Sequence, residues 1–222
     1  MHVVESIYTS LLDHFGPQNW WPADSPFEVM VGAVLTQNTN WANVSRAINT
    51  LKSENLLSPN LLYTLPLEIL AEKIRPSGYY NLKAKRLNNL LDLVVKEVEK
   101  SGSLDAFFSQ DRDVLREKLL TVKGIGPETA DSILLYAAEK PVFVVDAYTH
   151  RFLSRHGLIG EESSYQEIQE FFMDNLPEET ALFNEYHALI VQLGKEFCKK
   201  NHPLCSECPL REFEPIVLET DW

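Results

Sequence analysis

Cysteine is scarce in this chain: three in 222 residues, at 198, 205 and 208. An odd, clustered set excludes a disulfide framework and suits a metal or cluster site instead. Long apolar runs are missing too; none reaches the ~18 residues that a membrane helix needs. The opening MHVVESIYTS has no basic start and no apolar stretch. No secretory signal is therefore expected, and the expected location is cytoplasmic, nucleoid-associated in a prokaryote. Strand signals are nearly absent: VFVV at 142–145 stands alone and is too isolated to build a sheet. Positive charge is in short supply, with 20 Lys and Arg against 32 Asp and Glu, a net charge of −12. Taken alone, that balance argues against a nucleic-acid partner.

The distribution of charge reverses the argument. KIRPSGYYNLKAKR, residues 73–86, holds five basic residues (Lys73, Arg75, Lys83, Lys85, Arg86) and no acidic one. Residues 156–194 hold eight acidic residues and no Lys or Arg. A basic stripe on an acidic protein is a footprint for an anionic polymer, or else an ordinary exposed helix end.

What fills the chain is helix after helix. SPFE at 25–28 reads as Ser25 at the N-cap, Pro26 at N1 and Glu28 closing a capping box. SYQE at 164–167 repeats the box. Asn40, Ser58, Ser103 and Asp111 open further helices. Leu87, Leu90, Leu91, Val94 and Val98 recur at three and four residues along one long helix over 81–100. A last long helix is expected over about 179–197. The fold class is all-α.

VKGIGPETAD, 122–131, places Gly124 and Gly126 between two helical runs. A dinucleotide-binding reading fails, because no strand precedes the glycines. Between helices the two glycines permit positive φ and let backbone N–H groups approach a ligand. Pro127 starts the second helix, whose N-terminus is partly positive, and Lys123 stands beside it. Such a turn suits one phosphate, or is a plain helical corner.

At this point the sequence resembles the endonuclease III family of helix-hairpin-helix DNA glycosylases. VKGIGPETAD is similar to its hairpin. VGAVLTQNTNW (31–41), PSGYYNLKAKRL (76–87), VVDAYTHR (144–151) and CKKNHPLCSEC (198–208) are similar to its other motifs, in order. Ala147 and Tyr148 here separate the aspartate from the Thr-His pair. WWP (20–22), LTQNT and the 75–86 segment look closest to endonuclease III-like 3-methyladenine DNA glycosylases. The resemblance implies two helical domains flanking a DNA-binding cleft. A six-helix domain with the hairpin would span 20–138. A second domain, 1–19 with 139–222, would carry an iron–sulfur-type loop. The implied protein is a monomer acting on double-stranded DNA that contains a damaged base, with no nucleotide cofactor.

Residue roles follow from that resemblance. Asp146 matches the family's catalytic aspartate and also reads as a helix N-cap. Gln37 matches a glutamine inserted into the duplex once a base is flipped out. Lys83, Lys85, Arg86, Lys123, Gly124, Gly126, Lys199 and Lys200 are expected at DNA phosphates. Glu128 occupies the hairpin position where backbone-cutting members carry a Schiff-base lysine. A glutamate cannot do that chemistry, so a monofunctional glycosylase is expected. Trp20, Trp21 and Trp41, with Glu128, are candidates for the base pocket. An aromatic face attracts a cationic alkylated purine such as 3-methyladenine. Packing of the three tryptophans in the core is the other reading. A uracil or mismatched-thymine glycosylase and a non-catalytic binder of distorted DNA remain alternatives. Cys198, Cys205 and Cys208 fit three positions of a [4Fe–4S] loop, with Glu214 where the fourth cysteine would stand. His202, an external ligand, or zinc in a mixed set are the other possibilities.

Overall fold

The computed structural model describes residues 2–18 and 20–213. Twelve α-helices and no strand occur among the described residues. None of these helices is long and apolar enough to cross a membrane. The chain divides into two compact units, Met1–Trp20 with Pro141–Trp222, and Trp21–Lys140.

The Trp21–Lys140 unit is built around α2 (Pro26–Leu35), whose residues from Phe27 to Leu35 are all buried. A helix apolar on every side belongs at the centre of a bundle. It packs on α3 (Trp41–Ser53), α6 (Tyr80–Ser101) and α9 (Pro127–Tyr136). Ser25 caps α2 by accepting from the Glu28 N–H at 3.2 Å. The capping box does not close, however. Glu28 instead accepts from the Asp24 N–H and pairs with Lys52, at 3.0 and 2.7 Å. Long α6 carries the apolar face expected from its spacing, with Leu87, Leu90, Leu91 and Val94 buried. Two short helices, α4 (Pro59–Thr64) and α5 (Leu67–Lys73), cover it, as does α7 (Leu104–Phe108). The unit closes with α8 (Arg112–Leu120) against α9.

The other unit joins α1 (Val3–Phe15) to α10 (Ala147–Arg155), α11 (Tyr165–Met173) and α12 (Thr180–Glu196). Helix α12 packs on both α1 and α10. Its core is aromatic: Phe143 stacks on Phe172 at 3.8 Å, and Phe183 and Tyr186 meet Phe143 edge-on. The strand-like VFVV forms no strand. It is a buried extended connection, and its Phe143 carbonyl accepts from the Gln169 side chain at 2.7 Å. β-branched residues here serve burial, and a side-chain amide supplies the hydrogen bond that a ladder would have given.

Candidate nucleic-acid interface and hydrolytic centre

The hairpin is α8, the turn from Thr121 to Gly126, and α9. Gly124 sits at φ +100°, and a Cβ there would collide with the Arg86 side chain. Only glycine satisfies both conditions. Gly126 differs from the expectation: its φ is −99°, extended backbone open to any residue. A Cβ there would meet nothing within 4 Å, so this glycine keeps the helix entrance clear without being needed for the turn. Gly126, Pro127 and Glu128 are exposed. The first turn of a helix presents N–H groups that have no acceptor inside the helix. Asp131, with its side chain fully buried, receives Arg116 through Nε and Nη2 at 2.7 and 3.0 Å. This bidentate pair braces α8 against α9.

Gln37 follows α2 and reaches this turn. Its Nε2 donates to the Gly124 carbonyl and to Thr129 Oγ1, at 3.1 and 2.9 Å. Arg86 Nη1 donates to Gln37 Oε1 at 2.6 Å. Lys85, Arg86, Lys123 and Gly124, joined by Leu82 and Asn89, line a cavity of about 460 Å³. Asn89 Nδ2 holds the Lys123 carbonyl at 2.9 Å. The cavity carries three cationic side chains and the hairpin backbone, which suits a phosphodiester.

Lys83 departs from the basic stripe. It is 1% exposed, and its Nζ donates to the carbonyls of Leu35 and Ser77 at 2.8 and 2.6 Å. Burial, with the neighbouring charge of Arg86, pushes its pKa down to about 8. The amine faces inward and is not available to a phosphate. Lys83 lies four residues before Leu87, on the apolar face of α6, and that spacing was the overlooked signal.

The tryptophans part company. Trp21 packs edge-on against Trp41 at 5.2 Å, and in a tilted arrangement against Tyr136 at 5.0 Å. Trp20 belongs to the other unit, with the Lys195 ammonium 5.3 Å from its ring centre.

Asp146 caps α10. Its Oδ1 accepts from Tyr148 N, Thr149 N and Thr149 Oγ1 at 2.9, 2.8 and 2.9 Å. Oδ2 faces the buried His187, whose Nε2 stands 3.7 Å away. Burial alone pushes the carboxyl up, but His187 and the Thr149 donors together hold it below the ordinary aspartate value. Gly194 on α12 makes room for the Tyr148 ring, which any Cβ there would strike. Neither His187 nor Gly194 was found from sequence. His187 follows Phe183 by four residues and precedes Ile190 by three, so a histidine on an apolar helical face was the available sign.

Cys198 and Cys208 are buried and Cys205 is exposed, and the three form no disulfide with one another. The three line one cavity of about 240 Å³ together with Arg155 and Arg211. Cys198 Sγ accepts from Arg155 Nη1 at 3.3 Å, and Cys208 Sγ from Leu210 N at 3.5 Å. Burial raises the Cys208 thiol, and the other two sulfurs add to that. Arg155 also binds the carbonyls of Lys199 and Lys200, whose side chains are exposed. Glu214 lies outside the described residues. Among the described residues, no three His, Cys, Asp or Glu side chains are arranged to hold a single metal ion.

Comparison with known proteins agrees with this geometry. The family model for HhH-GPD superfamily base excision DNA repair proteins matches residues 31–178. A candidate DNA repair glycosylase of Methanocaldococcus jannaschii is 51% identical, over 95% of this chain and 95% of its own. Endonuclease III of Thermotoga maritima is 31% identical, over 94% of this chain and 91% of its own. The crystal structure of H. pylori 3-methyladenine DNA glycosylase bound to 1,N6-ethenoadenine superposes with a TM-score of 0.73 at 32% identity. That match covers 87% of this chain and 96% of the other. The hairpin, the capped aspartate and the cysteine loop thus sit in a chain that belongs to the HhH-GPD superfamily of base excision DNA repair proteins.

Proposed function

We propose that this chain is a monofunctional DNA glycosylase that removes an alkylated purine such as 3-methyladenine by hydrolysis. The observation that carries the reading is the Asp146 carboxylate: Oδ1 is held by three hydrogen bonds of the helix cap, and Oδ2 faces His187. When the N-glycosidic bond breaks, its electron pair leaves with the base and C1′ becomes cationic. Water then adds to C1′ and gives up a proton to solvent, while the alkylated base leaves neutral. A carboxylate held below its ordinary pKa is a weak base and a good counter-charge. Its main contribution is therefore electrostatic, beside the developing sugar cation. Within the Trp21–Lys140 unit, the aromatic group of Trp21, Trp41 and Tyr136 is of the kind that attracts a cationic ring. The H. pylori relative, named for 3-methyladenine, supports that choice.

Two positions bear on strand cleavage. Glu128 stands at the hairpin position where a Schiff-base lysine would be needed. Lys83, whose lowered pKa would suit a nucleophile, is buried and bonded to two carbonyls. Similarity to endonuclease III of T. maritima favours a second reading, a glycosylase that also cuts the backbone. That reading predicts a covalent complex trapped by borohydride; the hydrolytic one predicts none.

DNA is proposed to lie on the hairpin, with Lys85, Arg86, Lys123, Gly124 and Gly126 at phosphates and Gln37 filling the vacated space. Gln37 must then give up its bonds to Arg86, Gly124 and Thr129. Lys199 and Lys200 would add phosphate contacts. A [4Fe–4S] cluster is proposed on Cys198, Cys205 and Cys208, with Glu214 as the fourth ligand. Three soft donors on one cavity, with two guanidiniums to balance negative charge, suit such a group. When bound, it would supply a structural cross-link for the loop.

The test is mass spectrometry of bases released from methylated DNA, beside uracil- and G·T-containing duplexes. Free 3-methyladenine is expected. Release of uracil or thymine alone would move the substrate to a pyrimidine. Release of nothing, with damaged DNA still bound, would favour a non-catalytic binder.

A further inference from the structure

The two oxygens of Asp146 stand in unlike surroundings. Oδ1 accepts three hydrogen bonds from Tyr148 and Thr149, which fixes the plane of the group and turns Oδ2 toward His187. His187 comes from the middle of α12 and is 6% exposed. Its Nε2 is 3.7 Å from Oδ2, beyond hydrogen-bond length yet within the range of charge attraction. The pair is set by the packing of the helix that Asp146 caps against the helix that carries His187. Helix α10 lies on α12, and Gly194, seven residues after His187, admits Tyr148, two residues after Asp146.

We infer that His187 is a positioning residue for the hydrolysis: its N–H aims Oδ2 and keeps the carboxylate ionised as the site loses water around the sugar. The inference rests on the reading of Asp146 as the group at the sugar. An N–H directed at a carboxylate favours the ionised form. Loss of water strengthens that effect, because the local dielectric falls. Without the imidazole, burial is opposed by the cap donors of Tyr148 and Thr149.

The experiment uses His187→Leu, which withdraws the donor, and His187→Gln, which returns an N–H. Three readings are taken: single-turnover release of 3-methyladenine from methylated duplex, affinity for a duplex carrying a tetrahydrofuran abasic analogue, and the Asp146 carboxyl titration followed by carbon-13 NMR in the protein alone. The leucine variant is expected to release base at least about tenfold more slowly, the scale of a displaced catalytic group. Its affinity for the abasic duplex should stay within twofold, and its Asp146 titration should move upward. Glutamine should restore much of both losses. If leucine does not fold, His187→Asn, which shortens the reach, provides the same titration. An unmoved titration, or release within twofold of wild type while Asp146→Asn is inactive, overturns the inference alone. If Asp146→Asn itself releases base normally, the hydrolytic reading falls, and the titration still decides whether His187 governs the carboxylate.

Discussion

Replacing Lys83 with methionine, and separately Lys85 with methionine, separates two lysines that look alike in sequence. Lys85 is exposed and lines the cationic cavity, whereas Lys83 is 1% exposed and spends its ammonium on the Leu35 and Ser77 carbonyls. Each phosphate contact contributes about 0.9 to the slope of log K against log salt on duplex DNA. Losing one contact should therefore flatten that slope by about 0.9 in Lys85→Met. Between 50 and 200 mM salt, the wild-type protein would lose about 3.5-fold more affinity than this variant. Lys83→Met should leave the slope unchanged. Its effect should appear in stability instead, where two orphaned carbonyls cost about 1–3 kcal/mol each and the relieved burial of a charge offsets part of that. Fluorescence anisotropy across a salt series, with urea denaturation alongside, reads both quantities. Equal flattening in the two variants would refute the inward placement of Lys83.

Further outcomes are expected elsewhere. Gly124→Ala combines positive φ with a collision at Arg86, so it should lose about 1–3 kcal/mol or more and bind DNA more weakly; denaturation and anisotropy report both. Arg116→Ala removes the bidentate partner of the fully buried Asp131 carboxylate and should cost about 3–5 kcal/mol in urea unfolding, whereas a loss under 1 kcal/mol would mean that the pair does not brace the hairpin. The Asp146 carboxyl is lowered on folding, so it contributes stability above the unfolded value of about 3.9 that disappears as pH falls through the lower folded value. The stability difference between wild type and Asp146→Asn should accordingly be steady from pH 7 to 5 and shrink below pH 4. Purified protein should contain iron and absorb in the visible range; iron-free, colourless protein would remove the cluster.

Much of the fold was legible because helix ends are written locally. Ser25, Asn40, Ser58, Ser103, Asp111, Asp146 and Ser164 each cap a helix as their side-chain chemistry dictates. The apolar face of α6 was equally plain in its spacing. What sequence hid depends on partners distant along the chain. The partner of Glu28 is Lys52, and Gln37 is bound to Arg86 and Thr129. The reason for Gly194 is Tyr148, and the neighbour of Asp146 is His187. Composition made Lys83 one of five basic residues, while its position on the apolar face of α6 decided where it points. The two hairpin glycines read alike, but only Gly124 needs its missing side chain.

The most direct test of the hydrolytic account is single-turnover base release by Asp146→Asn from methylated duplex, with affinity for an abasic-analogue duplex measured on the same preparation. The account predicts that base release falls by orders of magnitude while affinity is retained. Release at the wild-type rate from a folded Asp146→Asn protein would contradict it.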